Sequence, residues 1–184
     1  MSIYRISTNI DDYMFFTIDD LDVYEKMEEF DIDGFGQKLN FKWEAPAAEF
    51  IPSDSGSTFL PDITQWNGTD LIISAKAKEL TDSTLKDLGE YYPLSGKCKD
   101  YLLFNPIIRM GNDIIDLDLT KSVYFDDGSW DKLETLVFNN KTDTLAPSLF
   151  TIDMDRGVNI YCSDSFKDIV EKNGLKGLIF EQIK

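Results

Sequence analysis

The chain contains no histidine among its 184 residues. That absence removes serine and cysteine triads built on an imidazole base, histidine-ligated zinc and the side chain whose charge changes near neutral pH. Cysteine is nearly missing as well. Cys98 and Cys162 are too few for a disulfide scaffold and lack metal-ligand spacing, which points to a reducing compartment. No apolar run approaches the roughly 20 residues of a membrane span. The opening Met1-Ser2-Ile3-Tyr4-Arg5 lacks the apolar stretch of a signal peptide, so a cytoplasmic protein is expected, with no membrane partner. Phosphate-cradling glycine motifs are absent too, and Gly34-Phe35-Gly36 does not open a helix; no cofactor is expected.

Basic residues are scarce: 18 lysines and arginines face 34 acids, a net charge of −16. Such a field opposes nucleic acid, whose affinity comes from cations displacing backbone counterions, and favours a basic protein partner. The imbalance is concentrated. Residues 1–66 hold 14 acids and four bases, and between Asp11 and Asp33 there are ten acids and one base. Within this stretch Ile3, Tyr4 and Ile6, and then Tyr13 to Ile18, read as short strands. Asp19 or Asp20 can cap a helix carrying Val23, Met27 and Phe30 at helical spacing. Asp22, Glu25, Lys26 and Glu29 occupy its other face. Asp22, Glu25 and Glu29, with Asp19, Asp20, Glu28, Asp31 and Asp33, form the candidate partner-binding acids. From Asp33 to Asn67 glycine, proline and the run Ser53-Asp54-Ser55-Gly56-Ser57 read as long loop, with one strand around Phe41 to Trp43. Trp66 and Trp130 lie in loop-like text and join the candidate partner-binding residues as partly exposed aromatics.

An internal echo follows at a separation of 89 residues: Leu71-Ile72-Ile73-Ser74-Ala75 against Ile160-Tyr161-Cys162-Ser163-Asp164. Both copies read as strand, N-cap serine, helix, spanning 71–89 and 160–174. Gly89 and Gly174 are expected to close the helices in a left-handed conformation. Ala77, Leu80, Thr84, Leu85 and Leu88 form one apolar stripe, and Phe166, Ile169 and Val170 the other. Between the copies Tyr101 to Phe104 reads as strand. So does the alternation Ile115, Leu117, Leu119, and Ser122 to Phe125 and Lys132 to Phe138 read as a hairpin. A second hairpin turns through Asp153 to Gly157, and Leu178 to Phe180 closes the pattern. Strands outnumber helices without alternating with them. The expected class is α+β with mixed or antiparallel sheets and few helices, divided into an acidic part at 1–66 and an α+β domain at 67–184.

Candidate chemistry is thin. Asp31-Ile32-Asp33-Gly34 opens like a calcium loop, but Phe35 and Lys42 stand where such a loop needs oxygen ligands. Asp113, Asp116 and Asp118 alternate as a half-exposed strand would, and no metal is expected there. Ser74 and Ser163 lack the flanking glycines of a nucleophile elbow, and Cys162 reads as core. No enzymatic activity is expected.

Several segments taken in order do carry a resemblance. Leu60-Pro61-Asp62, Asp70-Leu71-Ile72-Ile73-Ser74, Tyr101-Leu102-Leu103-Phe104-Asn105, Ala146-Pro147-Ser148-Leu149-Phe150 and Ile160 to Ser163 lead to Asn173-Gly174-Leu175-Lys176-Gly177-Leu178-Ile179-Phe180-Glu181. Together they resemble the immunity proteins of bacterial polymorphic toxin systems, of the immunity protein 11 type, over residues 60–184. The resemblance implies a cytoplasmic protein, encoded beside a toxin, that neutralises it by binding and has no catalytic motif. Self-association stays open. So do two other classes: a structural or adaptor subunit of a phage or secretion apparatus, and a carboxylate-dependent hydrolase.

Overall fold

Period-two burial organises the molecule around the two echoing segments, whose alternate side chains must leave water on both faces of a sheet. The computed structural model describes residues 1–18, 21–30 and 36–184. Along the chain run β1 (Ile3–Thr8), β2 (Phe15–Ile18), α1 (Leu21–Glu29), β3 (Ala47–Ile51), β4 (Ile63–Trp66), β5 (Asp70–Ser74), α2 (Ala75–Leu85), β6 (Gly89–Pro93) and β7 (Ser95–Gly96). They are followed by β8 (Tyr101–Pro106), β9 (Arg109–Met110), a 3-10 turn at Asn112–Ile114, β10 (Lys121–Tyr124), β11 (Trp130–Thr135), α3 (Thr142–Leu145), β12 (Leu149–Ile152), β13 (Tyr161–Ser163), α4 (Asp164–Lys172) and β14 (Leu178–Gln182). The fold is α+β, with mixed and antiparallel open sheets and few helices. No helix among the described residues is long and apolar enough to cross a membrane.

Two sheets share one plan. The first has the order β4-β5-β8-β6, and the second contains β12-β13-β1-β14, with β9 added at its edge. In each, a hairpin strand pairs with the strand before the serine. A helix then carries the chain to a strand two places away, and a third strand fills the gap antiparallel to both neighbours. The filling strand is β8 in the first unit and β1, from the start of the chain, in the second. Equivalent positions match in register: Ile63 faces Ile73 as Leu149 faces Cys162, and Tyr91 faces Phe104 as Phe180 faces Ile6. Tyr91 and Phe180 are themselves 89 residues apart, as the serines are. Leu71, Ile73 and Phe104 of one unit and Ile6, Ile160 and Cys162 of the other bury into a single core with Ala77, Leu85, Phe166 and Val170 of the helices.

The outer face of each sheet is roofed by the segment preceding its hairpin. β3 joins β2 and β7 in a three-stranded sheet over Ile72, Leu103 and Trp66, contributing Phe16 and Ala48. On the other unit Ile114, Ile115 and Phe138 pack on Ile3, Phe150 and Tyr161, beside the β10–β11 ribbon. The chain positions anticipated as the boundary at 66/67 fall in the turn of the β4–β5 hairpin, and β1 is hydrogen-bonded into the sheet of β13 and β14. At the junction of the two units, the amides of Asp62 and Ile63 both donate to the Lys176 carbonyl (2.8 and 3.0 Å). Gly177, at φ +113°, has no room for a Cβ against the Ile63 carbonyl.

Several sequence expectations need correction. Phe41 to Trp43 is not a strand; the strand of that region is β3, and Phe41 and Trp43 instead pack on Val23 and Met27 of α1. Leu117 and Leu119 do not belong to an alternating strand. They sit exposed in a turn that Asp116 builds by accepting the amides of Asp118 and Leu119, both at 3.2 Å. Gly89 does not close α2 in a left-handed conformation: it opens β6, where any Cβ would collide with the Asn105 carbonyl and the Phe104 ring. Gly174, at φ +62°, does follow α4 as expected. The stripe of α2 is buried at Ala77, Thr81 and Leu85, and the Thr81 hydroxyl donates to the Ala77 carbonyl (2.8 Å), which lets a polar side chain occupy the core.

Both serines stand at N-cap positions with extended backbone, but they are not equal. The Ser74 hydroxyl accepts the Ala77 amide at 3.2 Å, whereas the Ser163 hydroxyl pairs with that of Ser165 at 2.8 Å and makes no cap bond. Ser74→Ala should therefore cost about 1 kcal/mol in urea unfolding, and Ser163→Ala distinctly less. Equal losses would mean that Ser163 caps α4 in solution.

Candidate partner-binding surface

Helical spacing in α1 puts Val23 and Met27 on the side facing Leu39, Phe41 and Trp43. Glu25, Glu28 and Glu29 are left exposed. The lone lysine of the helix, Lys26, pairs with Glu44 at 3.1 Å, so it cancels no charge on α1 itself. Asp19, Asp20, Asp31 and Asp33 lie outside the described residues, as does the side chain of Asp22. Phe30, expected on the buried stripe, falls one residue beyond the helix and is 45% exposed, with its ring 5.8 Å from that of Phe41.

The two tryptophans are not brought together. Trp66 is a correction: it lies in β4, not in a loop, and is buried against Phe16 with ring centroids 6.3 Å apart. Burying an indole is worth more than leaving it at a rim, and the cross-strand position opposite Asp70 aims it under the β2–β3 sheet. Trp130 is the first residue of β11 and half-buried, with the Arg156 guanidinium 5.3 Å above its ring. It lines a 420 Å³ hollow shared with Arg5, Lys132, Glu134 and Glu181, a surface of mixed sign.

A different surface was hidden in the serine-rich text. The loop at 52–60 is fastened to the turn at 9–14 by its hydroxyls. Ser55 donates to the Asp11 carbonyl (2.7 Å), Ser57 to the Asp12 carbonyl (2.5 Å), and the Met14 amide donates to the Phe59 carbonyl (2.9 Å). The turn is closed in its own right by Asn9, whose amide group donates to the Asp12 carboxylate (2.9 Å) while its oxygen accepts the Asp12 amide. Gly56, at φ +77°, makes the bend that lets its amide reach the Ser53 carbonyl. Between the two pinned segments lie adjoining hollows of 350 and 710 Å³ that share Asp11 and Ser55. Ile10, Phe15, Ile51, Phe59 and Leu60 stand there 40–72% exposed. Phe15 and Ile51 are directly opposite one another at the end of the β2–β3 pair, on the face turned away from the core. The signal available in the sequence was the apolar residues flanking the loop, together with serines spaced two apart.

Asp155, Cys98 and Cys162 belong to the scaffold. Asp155 is buried in the turn between β12 and β13, where it accepts the Tyr161 hydroxyl (2.8 Å), the Asn159 amide group (2.9 Å) and the Gly157 amide (3.0 Å). Burial nonetheless raises its pKa above the usual carboxylate range. Cys98 and Cys162 are buried free thiols; burial pushes Cys98 up to about 11 and Cys162 higher still, which makes both poor nucleophiles at neutral pH. Among the described residues no group of three or more Cys, Asp or Glu is placed to hold a metal ion.

Asp70 is one of three described residues, with Tyr91 and Trp130, that leave a buried side-chain polar atom without a hydrogen-bond partner. It is fully buried, and neither carboxylate oxygen has a hydrogen-bond partner among the described residues. Alternation puts it on the same face as Asn105, whose side chain is taken up in holding the Gly36 amide (2.8 Å) and the Gln37 carbonyl (2.7 Å). Desolvation raises the Asp70 pKa well above its ordinary value. The folded state thus keeps a proton that the unfolded chain releases near pH 4. The stability conferred by the neutral carboxyl is complete below that pH and is lost as pH rises through the raised value. Asp70→Asn, which cannot ionise, should flatten this decline and unfold at higher urea than the wild type at pH 8. Parallel urea midpoints for the two proteins from pH 4 to 9 would contradict a buried neutral Asp70.

No protein-family model matches the chain, and no curated protein sequence matches it significantly.

Proposed function

We propose that the protein is an immunity protein that binds a cognate bacterial toxin in the cytoplasm and blocks it stoichiometrically, without catalysis of its own. The observation that carries this reading is α1, which keeps Glu25, Glu28 and Glu29 in solvent while spending its lysine on Glu44. Unpaired exposed carboxylates repel one another and weaken the fold, so their concentration in the first third favours recognition of a positively charged surface. The resemblance of residues 60–184 to immunity proteins of polymorphic toxin systems supplies the class of partner, and the lack of imidazole and cofactor loops is in keeping with it.

Such a face acts mainly on encounter. Opposite charges steer approach over a Debye length of about 10 Å at 0.1 M salt, so association slows as salt is added. Titrating the toxin domain encoded beside this gene with the protein should abolish toxicity at a fixed molar ratio. Changing Glu25, Glu28 and Glu29 together to lysine should lower the association rate about tenfold or more at low salt. A toxin that remains fully active with excess protein would overturn the proposal. A folded triple variant with an unchanged, salt-independent association rate would remove α1 from the interface.

A further inference from the structure

We infer that the groove between the turn at 9–14 and the loop at 52–60 is the anchor site for a bulky apolar side chain that the toxin presents among basic residues; the inference rests on the inhibitor reading above. Three features converge there. The first is apolar surface: the Phe15–Ile51 pair is exposed on its outer face, and Ile10, Phe59 and Leu60 surround the same hollows. Exposed apolar patches rimmed by polar residues are characteristic of binding surfaces.

The second is rigidity. The walls are held by side-chain-to-backbone bonds from Ser55 and Ser57 across more than 40 residues of chain, and by the Met14–Phe59 backbone bond. A groove ordered before the partner arrives loses little conformational entropy on binding. The third is charge. Asp11, Asp12 and Asp54 stand exposed around the groove, and Lys176 is the only cation lining it among the described residues. The carboxylates of Asp11 and Asp54 make no ion pair among the described residues. That rim disfavours a second copy of a chain with net charge −16 and an anionic lipid surface alike, and it fits lysine or arginine flanking an apolar anchor.

α1 and the groove lie at opposite ends of β2, whose Ile18 end leads towards Leu21 and whose Phe15 end opens into the hollow. They should therefore leave different kinetic signatures. Charge on α1 governs association, whereas an anchor buried in the groove governs dissociation. The test is surface-immobilised binding of the toxin domain encoded beside the gene to the wild type, to Phe15→Asp with Ile51→Asp, and to Phe59→Ala with Leu60→Ala. Amide exchange of the wild-type chain is measured alongside, free and in complex. Both groove variants should dissociate about tenfold faster or more, with association changed far less, and exchange should slow at residues 9–15 and 51–60. Phe59 and Leu60 are exposed, so their alanine variants keep the test open if the aspartate pair fails to fold.

A wild-type complex that the alanine variant leaves with an unchanged dissociation rate, or exchange protection lying only elsewhere, would overturn the anchor site while the inhibitor reading stands. Failure of the wild type to bind the toxin at all would overturn both. Self-association of the free chain that Phe15→Asp abolishes would replace the toxin with a second copy as the occupant.

Discussion

The central core is the constraint on which the rest of the molecule depends. Leu71, Ile73 and Phe104 bury against the side of the molecule that carries Ile6, Ile160 and Cys162. Neither strand-to-helix unit covers its own inner face, so each supplies the apolar surface that the other lacks. Removing one buried leucine or isoleucine there would cost about 2–5 kcal/mol through lost burial and the cavity left behind. Because the strand completing the second unit is β1, the core also determines where the chain begins in space. Ile6 donates its amide to the Ile160 carbonyl at 3.0 Å, and the Asp164 carboxylate at the start of α4 accepts the Ser2 amide at 2.8 Å. β1 and β14 are thereby fixed in one sheet, and β2 and β3 lie in the intervening segment as a roof over the first unit.

That roof is acidic, yet it is held mainly by apolar and neutral polar contacts. Phe16 and Ala48 reach Ile72 and Leu103, and Trp43 lies 4.7 Å from Tyr92 and donates its indole N–H to the Pro93 carbonyl (2.8 Å). Electrostatic self-repulsion across the first third is neutralised only in part, at Lys26–Glu44 and Lys97–Glu49, and the remainder is borne by burial. In the central units the arrangement differs: Lys78–Asp82, Lys167–Glu171 and Lys172–Asp168 pair at one helical turn. The contrast between the i,i+4 pairs on the helices of the core and Glu25, Glu28 and Glu29 on α1, which make no ion pair among the described residues, is what makes the first third stand out as a surface.

The parts of the fold legible in the sequence were those with local periodicity. The repeated strand, serine and helix stood out because the same alternation and the same turn recur at a fixed distance. The β10–β11 hairpin did so because Asp126 to Ser129 is strong turn chemistry between alternating segments. The β4–β5 hairpin was announced by Asn67-Gly68, both at positive φ, but the proline and glycine around it made residues 33–67 read as loop and left Trp66 outside any strand. At Ile115, Leu117 and Leu119 a period of two was produced by a side-chain-built turn, which pattern alone does not separate from a strand. Ser163 shows a related limit: identity at the capping position did not decide whether its hydroxyl bonds the backbone or Ser165.

The groove was illegible for a further reason. Ser53-Asp54-Ser55-Gly56-Ser57 has the composition of a flexible linker, and a linker would expose its neighbours Ile51, Phe59 and Leu60 without arranging them. What arranges them are backbone carbonyls of residues 11 and 12, more than 40 positions away, which a reading of local propensity does not include. The same distance explains why composition points to the acids from Asp19 to Asp33 and not to the groove. Charge is additive and visible in composition, whereas the juxtaposition of apolar side chains appears only once two loops have been fastened together. A surface that captures through dispersed charge and retains through a fixed apolar hollow divides the two tasks between residues of different chemistry. Each can then change without the other: charge on α1 adjusts the rate of encounter, and the shape of the groove decides which captured partner stays.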